Sequence, residues 1–282
     1  METMTTNYLS LTPEEKWEQA TLANNFIFYK VMRNHQNACK QLLEMLLGIK
    51  IESMEMKQEE TIALDYDSKG IRLDVFVKDT GRMFDVELQV ANTKELPERA
   101  RYYQGVMDVD TLKAGQKYKE LRDSHIIFIC LEDVFKNGLP VNTFANICLE
   151  DKKTKFGDRT YKHFFFAPLC AKMIEDKEVK AFFEFLISNQ ASSSYTDELK
   201  NYVADAKQST ENKMQFMTWE RQRAYDLDAG REEGIAIGAQ QKAVEAAENM
   251  MKKNYPIDDI CEITGLSLDQ VLELKEKVSV KA

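Results

Sequence analysis

The sequence predicts an α/β fold, because the spacing of its hydrophobic residues switches between the helical and the strand period along the chain. Residues 13–50 have the three-and-four spacing of amphipathic helices, whereas residues 71–78 and 84–90 alternate between apolar and polar side chains. Residues 97–121 return to the helical period. Residues 125–131 then form a short apolar run, which is typical of a strand buried on both faces.

Start and stop signals predict the two N-terminal helices. Thr12 can cap the first helix, and Pro13 can occupy its first position, where a backbone N–H has no partner in any case. The second helix is predicted from about Asn34 to Leu47, and Gly48 ends it.

The chain is predicted to have three parts. Residues 1–190 form the α/β core, in which further strands are expected at residues 143–149 and 161–167. Residues 191–245 form a helical linker or extension, and residues 246–282 form a short tail that resembles a helix-turn-helix. We expect the chemistry of the protein to reside in residues 1–190.

The C-terminal helices favour association with a partner over reading of DNA. Gly230, Gly234 and Gly238 lie at a spacing of four, on one face of a helix, which indicates either a loose helix or one that packs closely on a partner. The last helix is acidic, with Asp269 and Glu273, which is the wrong charge for a helix in the major groove. We therefore expect a homo-oligomer formed through these helices.

The composition argues against membrane and secreted proteins. Hydrophobic residues make up 44% of the chain and charged residues 30%, as in a soluble globular protein. No apolar run approaches the ~20 residues that cross a bilayer. Residues 1–12 lack the basic-then-apolar order of a signal peptide. We expect a cytoplasmic protein that does not bind membranes.

Cysteine and histidine usage argues against a zinc site. The five cysteines are far apart and form no C-x-x-C pair, and the three histidines share no metal-ligand spacing. The net charge of -9 is unfavourable for a nucleic-acid partner, because phosphates attract Lys and Arg. A basic face can still be local.

The predicted hairpin brings two carboxylates together. The apolar faces of its two strands coincide only if odd positions pair with even ones. A turn centred between Thr80 and Gly81 then pairs Asp74 with Glu87, and their Cβ atoms would be roughly 4.5 to 5.5 Å apart.

Two carboxylates this close require a shared proton, a basic neighbour or a cation. Hard oxygen ligands without His or Cys favour Mg²⁺ or Mn²⁺, and such an ion polarises a phosphate and activates a water. Gln89 points to the same side as Glu87 and completes the candidate site. The alternative is a solvated sheet face with surface acids, on which Arg72 neutralises Asp74.

Four motifs follow one another in a fixed order within a similarity that runs over roughly residues 22–170 and also includes residues 28–32 and the strand 125–131. They are Arg72-Leu73-Asp74-Val75, Glu87-Leu88-Gln89, Arg101-Tyr102-Tyr103 and Lys113-Ala114-Gly115-Gln116-Lys117-Tyr118. The ordered set resembles the Rpn family of recombination-promoting nucleases and transposase-like proteins, within the PD-(D/E)XK superfamily. The resemblance implies a restriction-endonuclease-like core, a mixed sheet flanked by helices, with an α-helical C-terminal extension.

The resemblance also implies a function and assigns roles. Asp74 corresponds to the PD aspartate and Glu87-Leu88-Gln89 to the (D/E)-X-K element, with Gln in place of Lys. These residues would use Mg²⁺ or Mn²⁺ in a DNA endonuclease linked to recombination or mobile DNA. Arg101 matches the family arginine, which can bind the scissile phosphate or orient Glu87, and its alternative is an ordinary surface ion pair.

Other candidate residues have more ordinary alternatives. Lys113 and Lys117, four residues apart, can contact backbone phosphate or simply add solubility. Glu44, on the second helix, can supply an extra carboxylate or belong to a solvated helix face. Where the family usually has an Asp, just before the phenylalanine of its first motif, this chain has Asn24-Asn25. That position can be a helix cap, where Asn serves as well as Asp, or a functional site.

Three functions remain in competition. The first is a metal-dependent DNA endonuclease, the second a non-catalytic member of the fold that binds nucleic acid or a protein, and the third an RNA nuclease. The acidic net charge and Asn24-Asn25 favour the second, whereas the intact Asp74, Glu87 and Gln89 favour an enzyme. The sequence does not separate DNA from RNA as the substrate.

Overall fold

A computed structural model describes residues 11–56, 61–62, 71–72, 75–91 and 93–281. The helices of this part are α1 Pro13–Gln19, α2 Asn25–Asn34, α3 Gln36–Leu47, α4 Leu96–Thr111, α5 Ala167–Met173, α6 Lys177–Ser188, α7 Ser194–Gln208, α8 Thr210–Lys252, α9 Ile257–Thr264 and α10 Leu268–Lys281. Its strands are β1 Glu55–Met56, β2 Thr61–Ile62, β3 Ile71–Arg72, β4 Val75–Asp79, β5 Arg82–Gln89, β6 Asp123–Cys130, β7 Val141–Phe144 and β8 Thr160–Phe166.

A mixed sheet lies at the centre of the described residues and confirms the predicted fold class. Its six strands have the order β1-β4-β5-β6-β8-β7. The strands β5, β6 and β8 are parallel, and the other neighbours are antiparallel. Residues 71–72 form β3, which pairs with β2 in a separate two-stranded sheet. The sequence had instead predicted one strand over residues 71–78, so this part of the prediction is wrong.

The β4–β5 hairpin has the register that the sequence predicts. Val75 pairs with Val86, and Val77 pairs with Phe84, so the apolar residues share one face. Gly81 has a φ of 78°, a conformation that glycine adopts without strain and that tight hairpin turns require. The short turn therefore fixes which residues of the two strands face each other.

Helix α4 covers the opposite face of the sheet. Its buried residues pack against side chains of β4, β5, β6 and β8 in one cluster, which comprises Phe76, Met83, Leu96, Ala100, Val106, Met107, Ile126, Phe128, Cys130 and Phe164. The central strands β5 and β6 are consequently buried on both sides, as predicted for residues 125–131. The acidic face of β5 lies inside the protein.

Helix α4 is shorter than predicted, because it ends at Thr111 rather than near residue 121. The Thr111 hydroxyl donates to the carbonyl of Met107, and Leu112 has an extended backbone. Gly115 has a φ of 89°, so the chain turns away from the helical path. Strand β7 also differs from the prediction, because it covers Val141–Phe144 whereas residues 143–149 were predicted.

The predicted helix signals in the N-terminal part are confirmed. The Thr12 side chain accepts from the backbone N–H of Glu15, and the Glu15 side chain accepts from the Thr12 N–H, which forms a capping box. Gly48 ends α3 in the left-handed conformation, with a φ of 63°. The region predicted as residues 13–50 is divided into three helices, α1 to α3.

The compact unit that contains the sheet continues to Phe216 and so includes residues assigned above to the extension. The Tyr195 hydroxyl of α7 donates to the carbonyl of Ala38 at 2.8 Å. Phe216 packs between the rings of Trp17 and Phe26, with centroid distances of 5.2 and 5.5 Å. These contacts belong to a core, not to a linker.

A second unit begins at Met217. Helices α9 and α10 are joined at Gly265 and pack with the end of α8 around Ala247, Ile260, Leu266 and Val271. Self-association through these helices stays a prediction. Among the described residues, no helix combines the length and the apolar character that crossing a membrane requires.

We expect a chain that ends at residue 190 not to fold. It would lack Tyr195, Leu199 and Phe216, which are fully buried, and the loss of each such side chain costs about 2 to 5 kcal/mol, against a total stability of about 5 to 15 kcal/mol. Residues 1–228 should give a cooperative thermal transition by circular dichroism, and residues 1–190 should not. A cooperative transition for the shorter chain would show that α7 is dispensable for the core.

Two histidines form a chain of hydrogen bonds on the face of the sheet opposite α4. Nδ1 of His125 lies 3.1 Å from Nε2 of His163, and Nδ1 of His163 lies 3.1 Å from the Thr143 hydroxyl. The His125 ring also stacks on Phe84 and Tyr161. Burial lowers the pKa of His125 to about 3 and that of His163 to about 4.

These two imidazoles should make the fold sensitive to acid. An unfolded histidine has a pKa of about 6.5, so unfolding takes up protons below that pH. The contribution is fully present above about pH 6.5 and is lost as the pH falls towards the folded values, by up to about 1.4 kcal/mol per pH unit for each ring. The His125→Gln, His163→Asn double variant should flatten the urea stability profile between pH 6.5 and 4. An unchanged slope would contradict this assignment.

Candidate functional site

Glu87 lies inside the protein, near the carboxyl end of the central strand β5. It is 4% exposed, and Asp85, two residues earlier on the same face, is fully buried. The alternative of a solvated acidic face is therefore wrong for Glu87. Asp74, the second predicted carboxylate, lies outside the described residues, so its distance from Glu87 stays a prediction.

Arg99 of helix α4 is the described cation that contacts Glu87. Its Nη2 donates to Oε2 of Glu87 at 2.5 Å and to Oε1 of Gln89 at 2.8 Å. The guanidinium carbon lies 5.0 Å from the ring centre of Phe128 and 5.6 Å from that of Tyr103. One arginine thus connects both polar residues of the Glu87-Leu88-Gln89 motif to α4.

Arg101 was predicted either to bind phosphate or to orient Glu87, and in the structure the contact with Glu87 comes from Arg99. Arg101 is exposed on α4. The helical spacing contains the signal, because residue 99 lies on the same stripe as the apolar contacts Leu96, Tyr103 and Met107. Residue 101 lies outside this stripe of the helix. The binding of phosphate by Arg101 stays a prediction.

Gln89 has its amide held at both ends. Its oxygen accepts from Arg99, and its nitrogen donates to the carbonyl of Ala91. Gln89 therefore contributes to the shape of the site through defined hydrogen bonds.

The two candidate lysines do not share a helix face. Lys113 and Lys117 follow the end of α4, in the turn that contains Gly115. The Lys113 ammonium donates to the carbonyl of Asp110 at 2.6 Å, and the backbone N–H of Lys117 donates to Glu120. The helical spacing that suggested a joint contact is therefore absent. Both lysines are exposed, and their contact with nucleic acid stays a prediction.

Glu44 makes its contacts near the opposite end of the sheet. Its carboxylate accepts from the backbone N–H of Ile51 at 2.9 Å, and these contacts lower the pKa of Glu44. The carbonyl of the adjacent Lys50 accepts from Arg82 at 2.5 Å. Arg82 begins β5, five residues before Glu87, which corresponds to about 17 Å along the strand. The structure does not bring Glu44 to the site.

Asn24 is a helix cap. Its side-chain oxygen accepts from the backbone N–H groups of Phe26 and Ile27, at 3.0 and 3.3 Å, at the start of α2. The capping alternative for Asn24 is thus confirmed, and Asn performs the hydrogen bonding that Asp would perform.

The chemistry of the donors at the end of β5 suits a hard cation. Carboxylate oxygens, such as those of Glu87, are protein ligands that Mg²⁺ prefers. The neighbouring thiol of Cys130 is not a thiolate, because burial raises its pKa to about 12 despite the nearby Arg99. Within the described part of the chain, no group of three or more His, Cys, Asp or Glu side chains could hold a metal ion, and Asp74 is not in that part.

Comparison with known proteins identifies a family. A family model described as PD-(D/E)XK nuclease family transposase matches residues 23–228, well over half of the chain. No curated protein matches, and no solved structure matches. The matched segment contains Glu87, Gln89 and Arg99.

Substitutions of Asn24 should show in the stability of the protein that its side chain caps α2. Asn24→Ala should lower the free energy of unfolding by about 1 kcal/mol, because two N–H groups lose their acceptor. Asn24→Asp should preserve stability, since a carboxylate caps as well and suits the helix dipole. Urea unfolding measures both, with Asn25→Ala as the neighbouring control. A full loss of stability on Asn24→Asp would contradict a simple cap.

Proposed function

The chain belongs to the PD-(D/E)XK nuclease family transposases, and on that premise we propose that it is a divalent-metal-dependent endonuclease that hydrolyses phosphodiester bonds of DNA. The observation that carries the proposal is the buried Glu87, placed at the end of a central strand together with Gln89 and Arg99. The family supports a nuclease-related function. DNA as the substrate and a link to recombination or mobile DNA are the finer parts of the proposal.

We assign the metal ligands to Asp74 and Glu87. A bound Mg²⁺ or Mn²⁺ would supply charge stabilisation for the phosphate under attack and lower the pKa of a water. The contribution of Glu87 is a fixed carboxylate, because burial and the bond from Arg99 hold it in one orientation. Gln89 keeps Arg99 in place through its amide oxygen.

Burial of Glu87 favours an enzyme over a purely binding protein. A charged side chain that is removed from water costs stability unless it has a partner, and a binding surface would place its charges in solvent. A carboxylate in this position is easier to explain as a ligand whose environment must exclude competing water. The acidic net charge of the chain is compatible with this assignment, because metal-binding carboxylates contribute to it.

We expect Asp74→Ala and Glu87→Ala to abolish nicking of supercoiled plasmid at fixed Mg²⁺, with a fall of at least about 100-fold, because the ion and its charge stabilisation are lost. Gln89→Ala should leave weak activity, since the amide is not an ion ligand in this assignment. Melting temperatures of the variants show whether the fold survives.

The matched control is Glu44→Gln, which changes a carboxylate at the other end of the sheet and keeps an acceptor for the Ile51 N–H. It should nick plasmid at the wild-type rate. Nicking by Asp74→Ala at the wild-type rate would place the site elsewhere. A wild-type protein that binds duplex but never cuts it, with either ion, would favour the non-catalytic alternative, and cleavage of RNA alone would favour an RNA nuclease.

A further inference from the structure

Arg99 uses a single nitrogen for both of its hydrogen bonds to the motif. The two hydrogens of Nη2 reach Glu87 and Gln89. Guanidinium carries five N–H donors in one plane, so three donors remain, on Nε and Nη1. Within the described residues, neither of these nitrogens makes a hydrogen bond, and Nε is buried.

The plane of the guanidinium is fixed by its surroundings. The group lies near the rings of Phe128 and Tyr103, and it is anchored at one nitrogen by a carboxylate that is almost completely buried. The Arg99 side chain is 29% exposed, so one part of it reaches solvent. A cation that is held in place on one side and open on the other is suited to bind an anion.

We propose that Arg99 is the cation of this active site, which positions Glu87 and Gln89 through Nη2 and donates from Nη1 to a phosphate oxygen of the nucleic acid. The inference rests on the proposed nuclease function. It places on helix α4 the positive charge that a lysine at position 89 would have supplied, since Gln89 is neutral. In this arrangement Gln89 is a positioning residue, because Arg99 and Ala91 hold both ends of its amide.

The proposal predicts opposite effects on cleavage and on metal binding. Arg99 forms an ion pair with Glu87, so a divalent ion that binds Glu87 must compete with the charge of Arg99. Arg99→Met removes the competing charge and keeps much of the side-chain volume. It should therefore leave the Mn²⁺ affinity equal or tighter, while cleavage at saturating Mn²⁺ falls by at least about 100-fold. A residue that only supports the fold would weaken both, together with the melting temperature.

The experiment compares Arg99→Met, Arg99→Lys and Arg159→Met with the wild-type chain. Arg159 is the matched control, because it is an ion-paired arginine that lies 3.2 Å from Asp123 at the other end of the sheet. Mn²⁺ affinity is measured by calorimetry, cleavage by plasmid nicking, and duplex binding in Ca²⁺ at several salt concentrations. Arg99→Lys should keep part of the rate, and Arg159→Met all of it. Arg99→Met should reduce the salt dependence of duplex binding by about one phosphate contact.

The outcomes separate this proposal from the proposed function. If the wild type cleaves and Arg99→Met cleaves equally well, or if the salt dependence is unchanged, the role of Arg99 is refuted while the nuclease stands. If Mn²⁺ affinity, cleavage and melting temperature all fall together in Arg99→Met, Arg99 is structural and the proposal is refuted. If the wild type neither binds duplex nor cuts it, the nuclease function itself fails, and the assigned role of Arg99 fails with it.

Discussion

Glu87 is a charged side chain inside a hydrophobic core, and the packing around it has to compensate that charge. Removing a carboxylate from water costs several kcal/mol unless a well-placed cation and hydrogen bonds replace its hydration. Arg99 provides the cation and one hydrogen bond, and it is itself held by the Gln89 amide and lies near two aromatic rings. Because Arg99 belongs to α4 and Glu87 to β5, the ion pair fixes where the helix crosses the sheet.

The placement of Glu87 depends in turn on the strand that carries it. Strand β5 pairs antiparallel with β4 and parallel with β6, so it has no free edge within the described sheet. The two-residue turn at Gly81 sets its register, and a shift by one residue would move Glu87 to the other face. Local turn chemistry at one end of the hairpin therefore determines which side chain meets Arg99 at the other.

The sequence predicted those features that depend on local signals. The hairpin register, the cap at Thr12, the helix end at Gly48 and the buried strand β6 follow from patterns of a few residues. It failed where tertiary contacts decide. An alternating strand looks the same whether its polar face meets water or a helix, so the burial of Glu87 could not be read from the pattern alone. Polar composition after residue 190 similarly concealed the few large side chains of α7 and α8 that complete the core, such as Tyr195 and Phe216.

The carboxylates at the two ends of the sheet have different hydrogen-bond partners, and this contrast supports the proposed site. At the hairpin end, both oxygens of Asp79 are engaged by Ser53 and Arg82, and although burial opposes it, these bonds hold the pKa of Asp79 below its usual value. Both oxygens of that carboxylate thus have hydrogen-bond partners within the protein, and Asp79 has a structural role. At the other end, Arg99 donates to Glu87 through Nη2, and its Nε makes no hydrogen bond within the described residues. In the proposed function, the remaining donors of Arg99 are the ones that would meet a phosphate.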